Sequence, residues 1–162
     1  MFASPVTLTP ATPEDDAFIN GVIAASRADN FAALEPELRE RVLALQVSAQ
    51  RRHYLAAHPT ASDHVLRSAG HPVGRALLST AAEAITVVDI AVVPPRRGEG
   101  IGTAAIQLIS ERSDHLGVPL RVRAWANDGA LLNWYSGLGF VAGAESSTHI
   151  ELVRAPRAVF AT

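Results

Sequence analysis

The stretch VVDIAVVPPRRGEGIGTAAIQLI, from Val87 to Ile109, sets three glycines and two arginines between an apolar run and apolar residues at helical spacing. Gly98, Gly100 and Gly102 leave backbone N–H groups uncovered where the helix should begin, and Arg96 and Arg97 bring guanidinium charge to the same place. Uncovered N–H donors at the positive end of a helix dipole, with cations beside them, make a site for an anion, most often a phosphate.

Composition narrows which phosphate chemistry this is. There is no cysteine, which excludes disulfides, Cys-ligated zinc, iron–sulfur clusters and thiol nucleophiles. There is no lysine either, since all 14 basic residues are arginines, so a Walker lysine, a Schiff base and a lysine general base are excluded. A dinucleotide-binding loop has more support, because Gly100, Gly102 and Ala105 satisfy G-x-G-x-x-G/A. The context argues against it. The passage into the helix holds Pro94, Pro95, Arg96 and Arg97 rather than a tight turn, and about 20 residues on stand Leu120, Arg121 and Val122 instead of an acidic ribose ligand. The six histidines show no metal-binding spacing: His53 and His58 are five apart, without an HExxH motif or a carboxylate cluster, and no metal is expected.

The elements that must position the loop follow from periodicity. VTLT at 6–9 alternates like a short strand, and a helix follows with Thr12 as N-cap, Pro13 at its first position and Phe18, Ile19, Val22 and Ile23 on one face. A second helix is expected from about Glu37 to Ala57, with Leu38, Val42, Leu45 and Ala49 as its apolar stripe. Strands follow at 64–68, 72–80 and 84–93, with a turn at Ala69 and Gly70. The helix after the glycines runs to Leu116, where Gly117 and Pro119 stop it. A strand at 120–126, a short helix at about 129–137 and strands at 140–144 and 149–153 complete the pattern, and the tail from about Ala155 shows none. No repeat or linker marks a boundary, so residues 1–162 are read as one α/β domain, a mixed sheet with helices on both faces.

The segment VVPPRRGEGIG resembles the cofactor motif of the GNAT superfamily of N-acetyltransferases, Arg/Gln-x-x-Gly-x-Gly/Ala, through Arg97, Gly100 and Gly102. NDGALLNWYSGLGF is similar to that family's Asn-x-x-Ala…Tyr-x-x-Leu-Gly-Phe segment, although it is one residue longer. Tyr135 therefore matches by its distance to Gly139 and Phe140, and Trp134 by its distance to Asn127; the Gly-Phe side is preferred because those residues close the helix directly behind the tyrosine. The resemblance implies a mostly antiparallel sheet of about seven strands, with a V-shaped cleft between two splayed central strands.

It also implies roles. Acetyl-CoA would be the co-substrate, its pyrophosphate held by Arg96, Arg97, Gly98, Gly100, Ile101, Gly102 and Thr103 and its pantetheine arm by the backbone of Val92. The N–H of Ile90 would face the thioester oxygen, and Tyr135 would be the acid for the leaving thiolate. Asn127 either hydrogen-bonds the cofactor near its middle or caps a helix. Glu99 departs from the pattern, a carboxylate beside the phosphates with Arg96 and Arg97 as compensation. No base is legible: Thr86 stands where some relatives carry a glutamate, and strict alternation puts Asp89 on the face opposite Ile90 unless a bulge intervenes. Gln50 to Tyr54, QRRHY, falls in the helix that lines the acceptor cleft in such proteins, with its arginines read as a solvated face.

The expected function is transfer of an acetyl group to an amine of a small molecule or peptide, the alternative being a CoA-binding regulatory module that has lost the chemistry. A formal charge of −2 and a pI near 6.3 argue against a nucleic-acid or anionic-membrane footprint. The opening residues carry no basic start or long apolar core, so the cytoplasm is the expected compartment. An open strand edge leaves room for a homodimer.

Overall fold

The computed structural model describes residues 5–160. Strand β1 (Val6–Pro10) is followed by α1 (Asp16–Arg27) and α2 (Pro36–Ala57), then β2 (Ala61–Ser68), β3 (His71–Thr80) and β4 (Ile85–Val92). Helix α3 (Ile101–Leu116), β5 (Leu120–Trp125), α4 (Gly129–Gly137), β6 (Val141–Glu145) and β7 (His149–Arg154) follow. The seven strands form one sheet in the order β1-β2-β3-β4-β5-β7-β6. Every neighbouring pair is antiparallel except β4 with β5, which are parallel and joined through α3.

Local chemistry accounts for where the elements begin and end. Thr12 donates its N–H to the Asp15 carboxylate at 2.9 Å and opens a 3-10 turn over Pro13–Asp15, from which α1 continues. The β2–β3 hairpin turns at Ala69 and Gly70, both at positive φ, as a tight two-residue connection requires. Helix α3 stops at Gly117 in the left-handed region, where Val118 N–H reaches back to Ser113 C=O and Gly117 N–H to Asp114 C=O.

Helices α3 and α4 pack on one face of the sheet. Ile106, Ile109, Tyr135 and Phe140 bury against Ala76, Leu78, Ile85, Val87, Leu120, Val122 and Leu152. Ile19, Ile23 and Val47 form a separate cluster between α1 and α2, which cover the other face. Full burial of each such side chain is worth about 1.5–3 kcal/mol. The stripe expected on α2 is corrected: Leu38 and Leu45 are 50 % and 70 % exposed. Of that stripe Val42 turns inward and Ala49 does not; the inward face carries Arg39, Val42, Leu43, Gln46, Val47, Gln50, Arg51 and Tyr54. That face meets a charged cluster, so its inward positions are largely polar and an apolar pattern misplaces it.

Gly74 fixes how closely β3 and β4 can approach. A Cβ there would stand 2.5 Å from the Ala91 carbonyl oxygen and 3.3 Å from the Val92 Cα. Only glycine lets the two backbones meet at this point.

Candidate active site

The parallel ladder between β4 and β5 runs only from Ile85–Leu120 to Val87–Val122 and then stops. At that point β4 bulges: Leu77 of β3 faces Asp89 and Leu78 faces Val87, so Val88 is the extra residue. Val93 donates to Val73 at 2.9 Å, which makes Val92–Gly74 a non-hydrogen-bonded pair of the β3–β4 ladder. The N–H and C=O of Val92, and two residues earlier those of Ile90, therefore point away from β3 toward the space β5 has left. Without the extra residue, the alternation would aim Asp89 and Ala91 there instead.

That space is a cavity of about 310 Å³ lined by β4 from Val87 to Val92, by Gly102, Val122 and Arg123, and by Leu131, Trp134 and Tyr135. A second hollow of about 270 Å³ shares Val92, Gly102 and Trp134 with it and is otherwise lined by Arg96, Arg97, Gly98, Gly100, Ile101 and Thr103. Gly98 and Gly100 both take positive φ, and Gly100 is the N-cap of α3. The first intrahelical bond of α3 is Ala104 N–H to Gly100 C=O, which leaves the amides of Ile101, Gly102 and Thr103 without helical acceptors. Arg97 donates to the Val92 carbonyl at 3.1 Å, and Arg96 is paired with Glu99 at 2.8 Å. Glu99 thus neutralises one of the two cations expected to offset it.

Tyr135 is 3 % exposed. Its place is set by the helix ending behind it: Gly139, at φ 95°, lets Phe140 N–H bond the Tyr135 carbonyl at 3.2 Å and Gly139 N–H bond that of Ser136. The same cap brings the Phe140 ring edge-on to the tyrosine at 5.2 Å. Burial, and secondarily the Asp89 charge, pushes the Tyr135 phenol up to about 12. Trp134 lies beside it at 4.7 Å, donates its indole N–H to Thr103 Oγ1 at 3.0 Å, and comes within 3.7 Å of where a Gly102 Cβ would stand. It is the wall shared by the two hollows.

Asp89 and Ile90 are on opposite faces of β4, because the bulge comes before both. Ile90 packs toward α3 with Val92, whereas Asp89 accepts from Arg75 Nη1 at 2.8 Å and from Gln50 Nε2 of α2 at 3.5 Å. Arg75, 1 % exposed, also binds Asp63, and Arg51 ties Asp63 to Asp16 and Asn20. Burial pushes the Asp89 carboxyl up from its ordinary value against the pull of Arg75 and the Ile90 N–H. Tyr54 faces the same cluster, its phenol also raised by burial and by Asp89.

Of the residues singled out from the sequence, Tyr135, Ile90, Val92, Arg96, Arg97, Gly98, Gly100, Ile101, Gly102 and Thr103 line one or both hollows. Asn127 lines neither. It does not cap α4 either, since Asp128 does, accepting from Leu131 N–H at 3.0 Å. Thr86 also stays outside the cavity, on the part of β4 still paired with β5. The reading of Arg51 and Arg52 as a solvated face is half corrected: Arg52 is exposed, but Arg51 turns inward with Gln50 and Tyr54. Arg123, Asp63 and Arg75 were not singled out, and Asp89 was weighed only as a base, without its partners. A lone arginine inside the apolar strand PVGRALLST was the one signal for the Arg75 cluster.

The model of the acetyltransferase (GNAT) family matches residues 22–140. No curated protein sequence matches the chain significantly. Among solved structures, the PaiA N-acetyltransferase of Thermoplasma acidophilum in complex with coenzyme A superposes with a TM-score of 0.69 at 12 % identity, covering 93 % of this chain and 98 % of that one. A GCN5-related N-acetyltransferase from Rhodopseudomonas palustris gives 0.66 at 22 % identity over 96 % of this chain and 98 % of that one. The ribosomal-protein-S18-alanine N-acetyltransferase of Escherichia coli gives 0.63 at 16 % identity over 95 % and 96 %. At these identities the likeness is one of fold.

Proposed function

The chain belongs to the acetyltransferase (GNAT) family, and from that premise we propose that it moves an acetyl group from acetyl-CoA to an amine. The observation that carries this is that the two hollows adjoin, sharing Val92, Gly102 and Trp134 in their linings. In order along them stand uncovered helix-start amides, suited to a pyrophosphate, then the unpaired edge of β4, then a buried phenol. That sequence of groups fits a long cofactor with phosphate at one end and a reactive acyl group at the other.

Acetyl-CoA brings the thioester whose carbonyl carbon accepts the amine. The amides of Ile101, Gly102 and Thr103, with Arg97, hold the pyrophosphate. Val92 offers its N–H to the pantetheine arm, its carbonyl already accepting from Arg97, and Ile90 N–H, which Asp89 engages in the free protein, supplies a donor to the carbonyl oxygen as that oxygen becomes negative. Tyr135 keeps a proton on Oη throughout the physiological range and can give it to the departing sulfur. A C–N bond forms and the C–S bond breaks; the proton the nitrogen gives up passes to water, and water restores to Tyr135 the proton that it gives to sulfur. Asp89 holds Arg75 and the α2 contact in place. The acceptor enters from the α1/α2 face, where Asp89 borders the opening.

Acetyl-CoA should raise the thermal midpoint of the protein, because a ligand that binds only the native state stabilises it by mass action, and NAD should not. A panel of amines should then release free CoA thiol. A midpoint moved by NAD and not by CoA would overturn the cofactor assignment; CoA binding with no thiol released for any amine would leave the regulatory module.

A further inference from the structure

Because the opening between β4 and β5 passes through the sheet, its lining differs on the two faces. Ile90 and Val122 belong to the α3 side, packed with Ala105, Ile106 and Ile109. Asp89 and Arg123 belong to the other side, Asp89 by its bond to Gln50 of α2 and Arg123 by the strict alternation of β5 between buried and exposed residues. The cofactor groove lies on the α3 side, so Asp89 and Arg123 flank the mouth through which an acceptor reaches it.

The charges at this mouth do not cancel. Asp89 is acted on by Arg75, Arg27 and Asp63, so two cations meet two carboxylates and that group is neutral. Arg27 is further engaged by Gln50 and Arg51 by Asp16 and Asp63. Arg123 stands across the opening with no ion pair or hydrogen bond among the described residues. Glu151 lies opposite it on β7, yet the carboxylate is 3.8 Å from Arg121 instead. One uncompensated guanidinium therefore faces the mouth. A guanidinium recognises carboxylate or phosphate in a planar two-point geometry.

Resting on the acetyl-transfer reading above, we propose that the acceptor is an amine that carries an anionic group, carboxylate or phosphate, a few bonds from its nitrogen, and that Arg123 selects it. The amine end lies toward Asp89 and the Ile90 amide, and the anion lies on Arg123. A free amino acid meets this requirement. A peptide N-terminus, whose α-carboxyl is an amide, does not.

Calorimetric titration of glycine, L-alanine and L-methionine, each beside its amide, and of phosphoethanolamine beside ethanolamine, into the full chain with and without CoA tests this directly. At least one anionic member should bind tenfold or more tightly than its uncharged counterpart, and the two arms tell carboxylate from phosphate. Arg123→Gln should erase the preference, Arg123→Lys should keep part of it, and Arg112→Gln, an exposed arginine of α3 outside the cavity, should keep all of it. Pairs that behave alike, or a preference that survives Arg123→Gln, would overturn the assignment. Thiol release from acetyl-CoA, followed in parallel, separates the two readings. Arg123-dependent binding without thiol release upholds the recognition and removes the transfer reaction; thiol release indifferent to the anion does the reverse.

Discussion

Tyr135 can be tested with a change of one atom, because Tyr135→Phe leaves the ring that packs against Phe140 and Trp134 and removes only the hydroxyl. A thiolate with an ordinary pKa near ~8.5 can leave unprotonated, though more slowly. Turnover in the variant should fall roughly 10- to 10³-fold with little change in CoA affinity, since the hydroxyl matters mainly as the C–S bond breaks. The pH profile sharpens the test. With the phenol pushed up to about 12, Tyr135 stays protonated through any ordinary assay. The wild-type kcat should therefore show no alkaline decline that disappears in Tyr135→Phe below about pH 11. A decline that does disappear would mean a phenol far more acidic than its burial allows.

At the scale of an element, the loop into α3 sets two cations against one carboxylate. Arg96 and Glu99 are bonded to each other on the surface, so the pair adds little net charge to the hollow, while Arg97 is held over Val92. Glu99→Gln should therefore tighten CoA by roughly three- to tenfold at low ionic strength, by freeing Arg96 and removing a repelling charge, with the gain shrinking as salt is added. Arg97→Ala should weaken CoA most at low salt, and Arg96→Ala should do less. Calorimetric titration at two ionic strengths reads all three. Effects equal at both salts would assign these side chains to loop conformation rather than charge. The other element that decides the site is α4, where Gly139 and Phe140 fix Tyr135 by backbone bonds counted backward from the helix end. That backward count is the physical ground for matching Tyr135 to the family segment from the Gly139–Phe140 side.

For the whole molecule, acid stability turns on groups outside the site. His64 is buried in β2, and burial holds its pKa below the ordinary 6.5. As pH falls through that value the unfolded chain takes up a proton that the native chain refuses, so stability present above it declines until the lowered native pKa is passed. Thermal midpoints measured from about pH 7.5 to pH 5 should fall for the wild type, and the slope should flatten in His64→Gln. Equal slopes would place the titration elsewhere. Asp114 adds a later acid loss, since its hydrogen bonds to Arg154, at 2.8 and 3.1 Å, hold its carboxyl below the ordinary 3.8, and its contribution is lost as pH falls through the lowered value. As for what was legible beforehand, the sequence by itself determined the order of the elements, the glycine turn at the start of α3 and the caps at Gly117 and Gly139. Each is written in a few adjacent residues through period, φ and hydrogen bonding over one turn. It did not determine which backbone groups of β4 face the cleft. That depends on the extra residue Val88, which exists only relative to the β3 partner it fails to find. The inward face of α2 and the pairing of Arg75 with Asp63 and Asp89 were hidden for the same reason. The partners of Arg75 lie 12 and 14 residues away in the chain; the pairing of β2, β3 and β4 puts the three on one sheet face, and α2 adds Gln50 and Arg51 from above.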